Sequence, residues 1–181
     1  MKKATLPDIL STAIMLFCFW LLITGQLVSL CKGDPNVQVL IYGVVISLGV
    51  AVFSSRFFIH ESPFYLYNPV KWLMILVYAV CVFLVELIKA NLDVAFRALN
   101  PALPVNPGIV KVPVDLKSEY GQSMLANSIT LTPGTITMDI AEDKGQTYYY
   151  IHWINVTTQD NKAAGDAIKG RLEKGVGRIW K

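Results

Sequence analysis

Histidine and cysteine are scarce in this chain, with two and three residues in 181, and that scarcity removes whole classes of function. Cys18 and Cys81 fall inside long apolar runs, and the polar C-terminal part holds no cysteine, so neither a disulfide framework nor a cysteine-based metal site can be built there. His152 is the one histidine of that part, in an alternating strand pattern where a packed or edge residue is the plain reading. There is no glycine-rich phosphate loop before a helix, no carboxylate pair beside a nucleophile, and no histidine cluster at metal-ligand spacing. No catalytic residues, cofactor or metal are therefore expected. The net charge is only +3, with neither a basic run nor a basic patch interleaved with aromatics, so nucleic acid is not an expected partner.

The second half also lacks any long apolar run, whereas the first half has three. Segments at about 9–30, 37–55 and 70–97 each approach the roughly 20 residues that a helix needs to cross a ~30 Å hydrocarbon core. Lys2 and Lys3 before the first run resemble the start of a secretion signal, but the run is too long and two more follow, so it reads as retained. Leu30 before Cys31 is too bulky for lipoprotein cleavage. The expected fold is an α-helical membrane protein of three hydrophobic helices followed by a small soluble α+β domain. Residues 1–98 form its membrane domain, 99–108 a proline-spaced connector and 109–181 the soluble domain.

Orientation should follow the Lys and Arg balance near span ends. With three crossings, Lys2, Lys3, Arg56 and Lys71 share one side and Lys32, Lys89, Arg97 and Lys111 the other, a tie that decides nothing. In the second run Gly43, Ser47, Ala51 and Ser55 recur every four residues. Such a small-residue stripe admits a close neighbouring helix, either another subunit's or the first span of the same chain. At the end of the third run Glu86, Lys89, Asp93 and Arg97 lie on one helical face with alternating sign. Ionisable groups at membrane depth cost about 2.5–3.5 kcal/mol and often mark ion paths, while near a span exit they serve as interfacial struts with snorkelling lysines. Both readings stay open for Glu86, Lys89 and Asp93.

Beyond the connector, segments 109–116, 128–131, 135–141 and 147–156 are rich in β-branched and aromatic residues and read as strands. Pro133 and Gly134 form a structural turn between the middle two, and Asp143-Lys144-Gly145 turns the last pair into a hairpin. Alanine, isoleucine, leucine and valine spaced three or four apart over 160–176 predict an amphipathic helix.

The run Glu86-Leu-Ile-Lys-Ala-Asn-Leu-Asp-Val94, then Pro107-Gly-Ile109, Leu125-Ala-Asn-Ser-Ile-Thr-Leu-Thr-Pro-Gly-Thr135 and Tyr150-Ile-His-Trp-Ile-Asn-Val156, closely resembles the E subunit of Mrp-type multisubunit Na+/H+ antiporters, in order over residues 9–175. Relatives of that subunit occur in membrane-bound hydrogenases and sulfane reductases. The resemblance implies an accessory, non-catalytic subunit in the cell membrane, multi-pass, with its C-terminal domain cytoplasmic. Its partners would be the lipid bilayer and the other subunits of an antiporter or related respiratory complex, and its role assembly together with the sodium path. The segment before residue 30 is longer and more apolar than in many members, and the loop 53–68 carries Arg56, His60 and Glu61 in place of an arginine cluster. The rival from a different class is a free-standing membrane-anchored adaptor.

Overall fold

The computed structural model describes residues 5–58 and 67–180. Lys2, Lys3, His60 and Glu61, and the side chain of Arg56, lie outside the described residues. The chain divides into two compact units, Met1–Pro69 and Val70–Lys181.

In the first unit, helix α1 (Leu6–Ile23) starts where the Asp8 carboxylate reaches back to accept from the Thr5 backbone N–H at 2.8 Å, satisfying a donor that the first turn leaves open. The expected single helix over 9–30 is broken. Thr24 turns its hydroxyl onto the Trp20 carbonyl at 2.7 Å, Gly25 takes a left-handed conformation, and a short α2 (Gln26–Lys32) follows. Helix α3 (Val37–Phe58) returns against α1, its start capped by the Asn36 side chain, which accepts from the amides of Gln38 and Val39. The small-residue stripe faces this intrachain contact. A β-carbon at Gly43 would lie 2.5 Å from the Trp20 ring, and Ser47, Ala51 and Ser55 are buried. The Trp20 indole N–H donates to the Val39 carbonyl at 3.0 Å, fixing the open end of the hairpin.

The second unit begins with α4 (Pro69–Leu99), apolar and long enough to cross a membrane. Its middle, Ala79–Phe83, is a π-helical turn. A three-stranded antiparallel sheet follows in the order β1-β3-β2, from β1 (Gly108–Val114), β2 (Thr135–Asp143) and β3 (Gln146–Trp153). Two helices, α5 (Glu119–Leu131) and α6 (Asn161–Ile179), complete it. Val112 opposite Tyr149 and Val110 opposite Ile151 put one sheet face into a core with Leu125, Ile129, Ala164, Leu172 and Val176. The β2–β3 hairpin turns through Lys144 and Gly145, both left-handed, the conformation that matches the twist of paired strands and that glycine enters without strain.

The expected strand over 128–131 is instead the last turn of α5. The Ser118 hydroxyl caps that helix by accepting from the Gly121 amide. Leu125, Ser128, Ile129 and Thr132 then fall three or four apart on the buried side, and core packing overrides the β preference of Ile129 and Thr130. Pro133 and Gly134 consequently join a helix to a strand. The connector also departs from full extension, since the Leu103 amide closes a turn onto the Asn100 carbonyl at 2.9 Å.

Candidate functional site

Two stretches that are far apart in sequence meet in the second unit. Glu86, Lys89, Ala90 and Asp93 on α4, the turn Thr132–Thr135, Trp153 and Ile154 at the end of β3, and Ala167, Ile168 and Leu172 on α6 line a cleft of about 240 Å³. The turn is built from within. The Thr132 and Thr135 hydroxyls both donate to the Ile129 carbonyl at 2.8 Å, and the Ile154 amide donates to the Gly134 carbonyl at 2.8 Å. Gly134, with φ near +93°, brings its Cα close to both Ile154 and Val94, and a β-carbon there would meet Ile154 Cγ2 at 3.0 Å. The Asn127–Thr135 string thus spends its hydroxyls and carbonyls on holding the chain, which leaves it little to offer an ion.

The charges of the cleft are paired. Glu86 Oε1 accepts from Arg171 Nη1 on α6 at 2.9 Å and from Lys89 Nζ at 3.2 Å. Asp93 takes Arg97 bidentately at 2.7 and 3.0 Å, while Arg97 also donates to the Pro104 carbonyl at 2.7 Å. The Glu86 side chain is 24% exposed and that of Asp93 54%. Carboxylates so hydrated and so partnered are not the stripped oxygens a dehydrated cation needs. The arrangement acts as a clamp: one α4 carboxylate is held by α6, and the end of α4 is tied to the connector.

Other residues of this joint had little signature in the sequence. The Tyr78 hydroxyl, on α4, donates to Ser128 Oγ at 2.8 Å, and Ser128 in turn donates to the Met124 carbonyl. Gly175 of α6 faces the Tyr78 ring and Val82. The Lys71 ammonium lies 5.1 Å from the centroid of the Trp180 ring, which stacks on Tyr120. Only periodicity along α4 could have hinted at Tyr78, because the run around it is apolar on every side. Deeper in the domain, Tyr149 donates to the Gln122 carbonyl at 2.7 Å. Burial first, and the Glu173 carboxylate second, hold its hydroxyl well above the usual phenol range.

A small α/β body seated on a long apolar helix, in a chain with two further membrane-length helices, defines a membrane protein with one aqueous domain. The chain belongs to the Na+/H+ ion antiporter subunit family MNHE, whose model matches residues 13–179. It is 36% identical over 148 residues to the Na(+)/H(+) antiporter subunit E1 of Staphylococcus haemolyticus, covering 82% of this chain and 87% of that one. Against the subunit E1 of Staphylococcus aureus strain JH9 it is 34% identical over 157 residues, 86% of this chain and 87% of that one. Among solved structures, a chain of the membrane-bound sulfane sulfur reductase, an archaeal respiratory membrane complex, is 37% identical with a TM-score of 0.72. That likeness covers 97% of this chain and all of the other.

Proposed function

We propose that this protein is a non-catalytic accessory subunit of a multisubunit Na+/H+ antiporter module, either stand-alone or within a redox-driven respiratory complex. The observation that carries the reading is the likeness over nearly the whole chain to a subunit of a solved respiratory membrane complex at 37% identity, alongside relatives named as antiporter subunits. The paired charges of the cleft fit a supporting role. Residues 1–98 are the membrane-facing part, 99–108 the connector and 109–181 the aqueous domain, which we place in the cytoplasm. Glu86, Lys89 and Asp93 serve as struts that set α6 and the connector on α4. Gly43, Ser47, Ala51 and Ser55 close the α1–α3 hairpin.

Purification from native membranes through a tag after Lys181, in mild detergent and with mass spectrometry, tests the assignment. Antiporter subunits alone support the stand-alone module, and added iron-sulfur or nickel-iron subunits support the redox-driven complex. A protein that emerges alone and stable sinks both in favour of an anchored adaptor. In the same preparations, Glu86→Ala and Asp93→Ala are expected to lower the amount of assembled complex while leaving sodium-dependent transport per complex intact. Reduced transport at normal abundance would overturn the strut role.

A further inference from the structure

We propose that α4 does not cross the bilayer but lies along its cytoplasmic surface, with its apolar face in the boundary between lipid headgroups and acyl chains and its other face under the α/β domain. The α/β domain follows α4 along almost its whole length. Trp180 meets Lys71, Ser128 and Gly175 meet Tyr78, Arg171 meets Glu86, and the Gly134 turn meets Val94. From Lys71 to Val94 the helix rises about 35 Å at 1.5 Å per residue, more than the ~30 Å of a hydrocarbon core. A perpendicular α4 would therefore carry α6 into the hydrocarbon, and α6 brings Asp166, Arg171, Glu173, Lys174 and Arg178. Hydrocarbon does not hold such a set, because intramembrane charges are rare and face protein or water when they occur.

The opposite side of α4 has the complementary character. Leu73, Val80, Leu84, Ile88, Leu92 and Phe96 are all exposed. One side carries Lys71, Glu86, Lys89, Asp93 and Arg97 while the other is bare hydrocarbon, the division that holds a helix in the plane of a membrane surface. The high apolarity of α4 has a second source: Tyr78 and Val82 are covered by the domain, so both sides of the helix need apolar residues.

Removing this crossing also resolves the tie in the charge balance. With α1 and α3 as the crossings, Lys2, Lys3, Arg56, Lys71, Lys89, Arg97 and Lys111 share one side and Lys32 stands alone on the other. Seven against one is the asymmetry expected when the larger group faces the cytoplasm.

The inference rests on the family reading only for the presence of a membrane. In a background with Cys18, Cys31 and Cys81 replaced by serine, single variants Asp34→Cys, Asn68→Cys and Ala102→Cys are treated in intact cells with a membrane-impermeant maleimide. Asp34→Cys should label from outside, and Asn68→Cys and Ala102→Cys only after permeabilisation. Labelling of the last two from opposite sides, or of both from outside, would overturn the proposal. As a second readout, nitroxides on cysteines at Leu73, Val80, Leu84, Ile88, Leu92 and Phe96, in the complex reconstituted into vesicles, should show even oxygen accessibility along the helix. A maximum at the midpoint would mean a crossing, and low accessibility throughout would mean that a neighbouring subunit covers this face; either defeats the lipid assignment. Co-purification from the same cells reports separately on whether the antiporter reading stands.

Discussion

Gly175 of α6 lies so close to Tyr78 of α4 that a β-carbon on it would stand 2.7 Å from the tyrosine ring. The ring has little freedom to retreat, because its hydroxyl is held by Ser128. Helix α6 is thus seated on α4 by an absent side chain, and the same substitution elsewhere in α6 should behave differently.

Gly175→Ala is expected to destabilise the second unit by about 1–3 kcal/mol, the usual cost of forcing atoms into a filled contact. Gly170→Ala should instead stabilise it by about 0.5–1 kcal/mol, since alanine is the better helix former and the nearest atom to its new β-carbon is 3.8 Å away. Thermal unfolding of the detergent-purified protein distinguishes the two by the sign of the shift.

Tyr78→Phe and Ser128→Ala each remove one end of the same hydrogen bond. Each should cost about 0.5–1.5 kcal/mol, and the double variant should cost less than the two added together. Full additivity in denaturant titrations would mean that the bond contributes nothing to the joint.

Tyr149 sets an alkaline limit. Its folded pKa is raised above the ordinary value of 10.0, so the fold favours the neutral phenol. The associated stability is fully present below pH 10 and is lost as pH rises above it, because the unfolded chain then releases a proton that the folded one retains. Unfolding midpoints measured between pH 8 and 11, by the linkage argument over about that window, should fall steeply in the native protein and less steeply in Tyr149→Phe.

The Glu86–Arg171 pair is exposed on its arginine side, at 65%, so the coupling should be modest, about 0.2–1 kcal/mol. Glu86→Arg or Arg171→Glu alone places like charges together and should reduce complex abundance in membranes. The double exchange should recover most of it, an outcome that loss of an ion-carrying carboxylate would not produce.

Much of this architecture was legible from residue type and spacing. The three apolar helices, the Lys144-Gly145 hairpin and the last amphipathic helix all appear with boundaries moved by a few residues. What was not legible shares one physical cause, the override of local preference by distant partners. Ile129 and Thr130 favour strands in isolation yet complete α5, because Leu125 and Ile129 are needed in the core. The first helix breaks at Gly25, which an uninterrupted apolar run conceals. Within the cleft, the charges on α4 and the Pro133-Gly134 turn were each visible in the text, but their meeting was not. Arg171, Tyr78 and Gly175 acquire meaning only once α6 is laid against α4.

The π turn at Ala79–Phe83 sets the rotational phase of everything after it. One residue is worth about 100° of turn, so the wider turn decides whether Glu86 and Val94 emerge on the same side as Tyr78 or away from it. The covered residues do emerge together, although positions 78, 82, 86, 90 and 94, each four apart, would drift steadily around a uniform α-helix. A chain one residue shorter here would keep its hydropathy, its charges and its α/β domain intact, yet it would dial the carboxylate of Glu86 away from Arg171. Length in this five-residue window is therefore a coded quantity, and an insertion or deletion there would do more harm than many substitutions along the same helix.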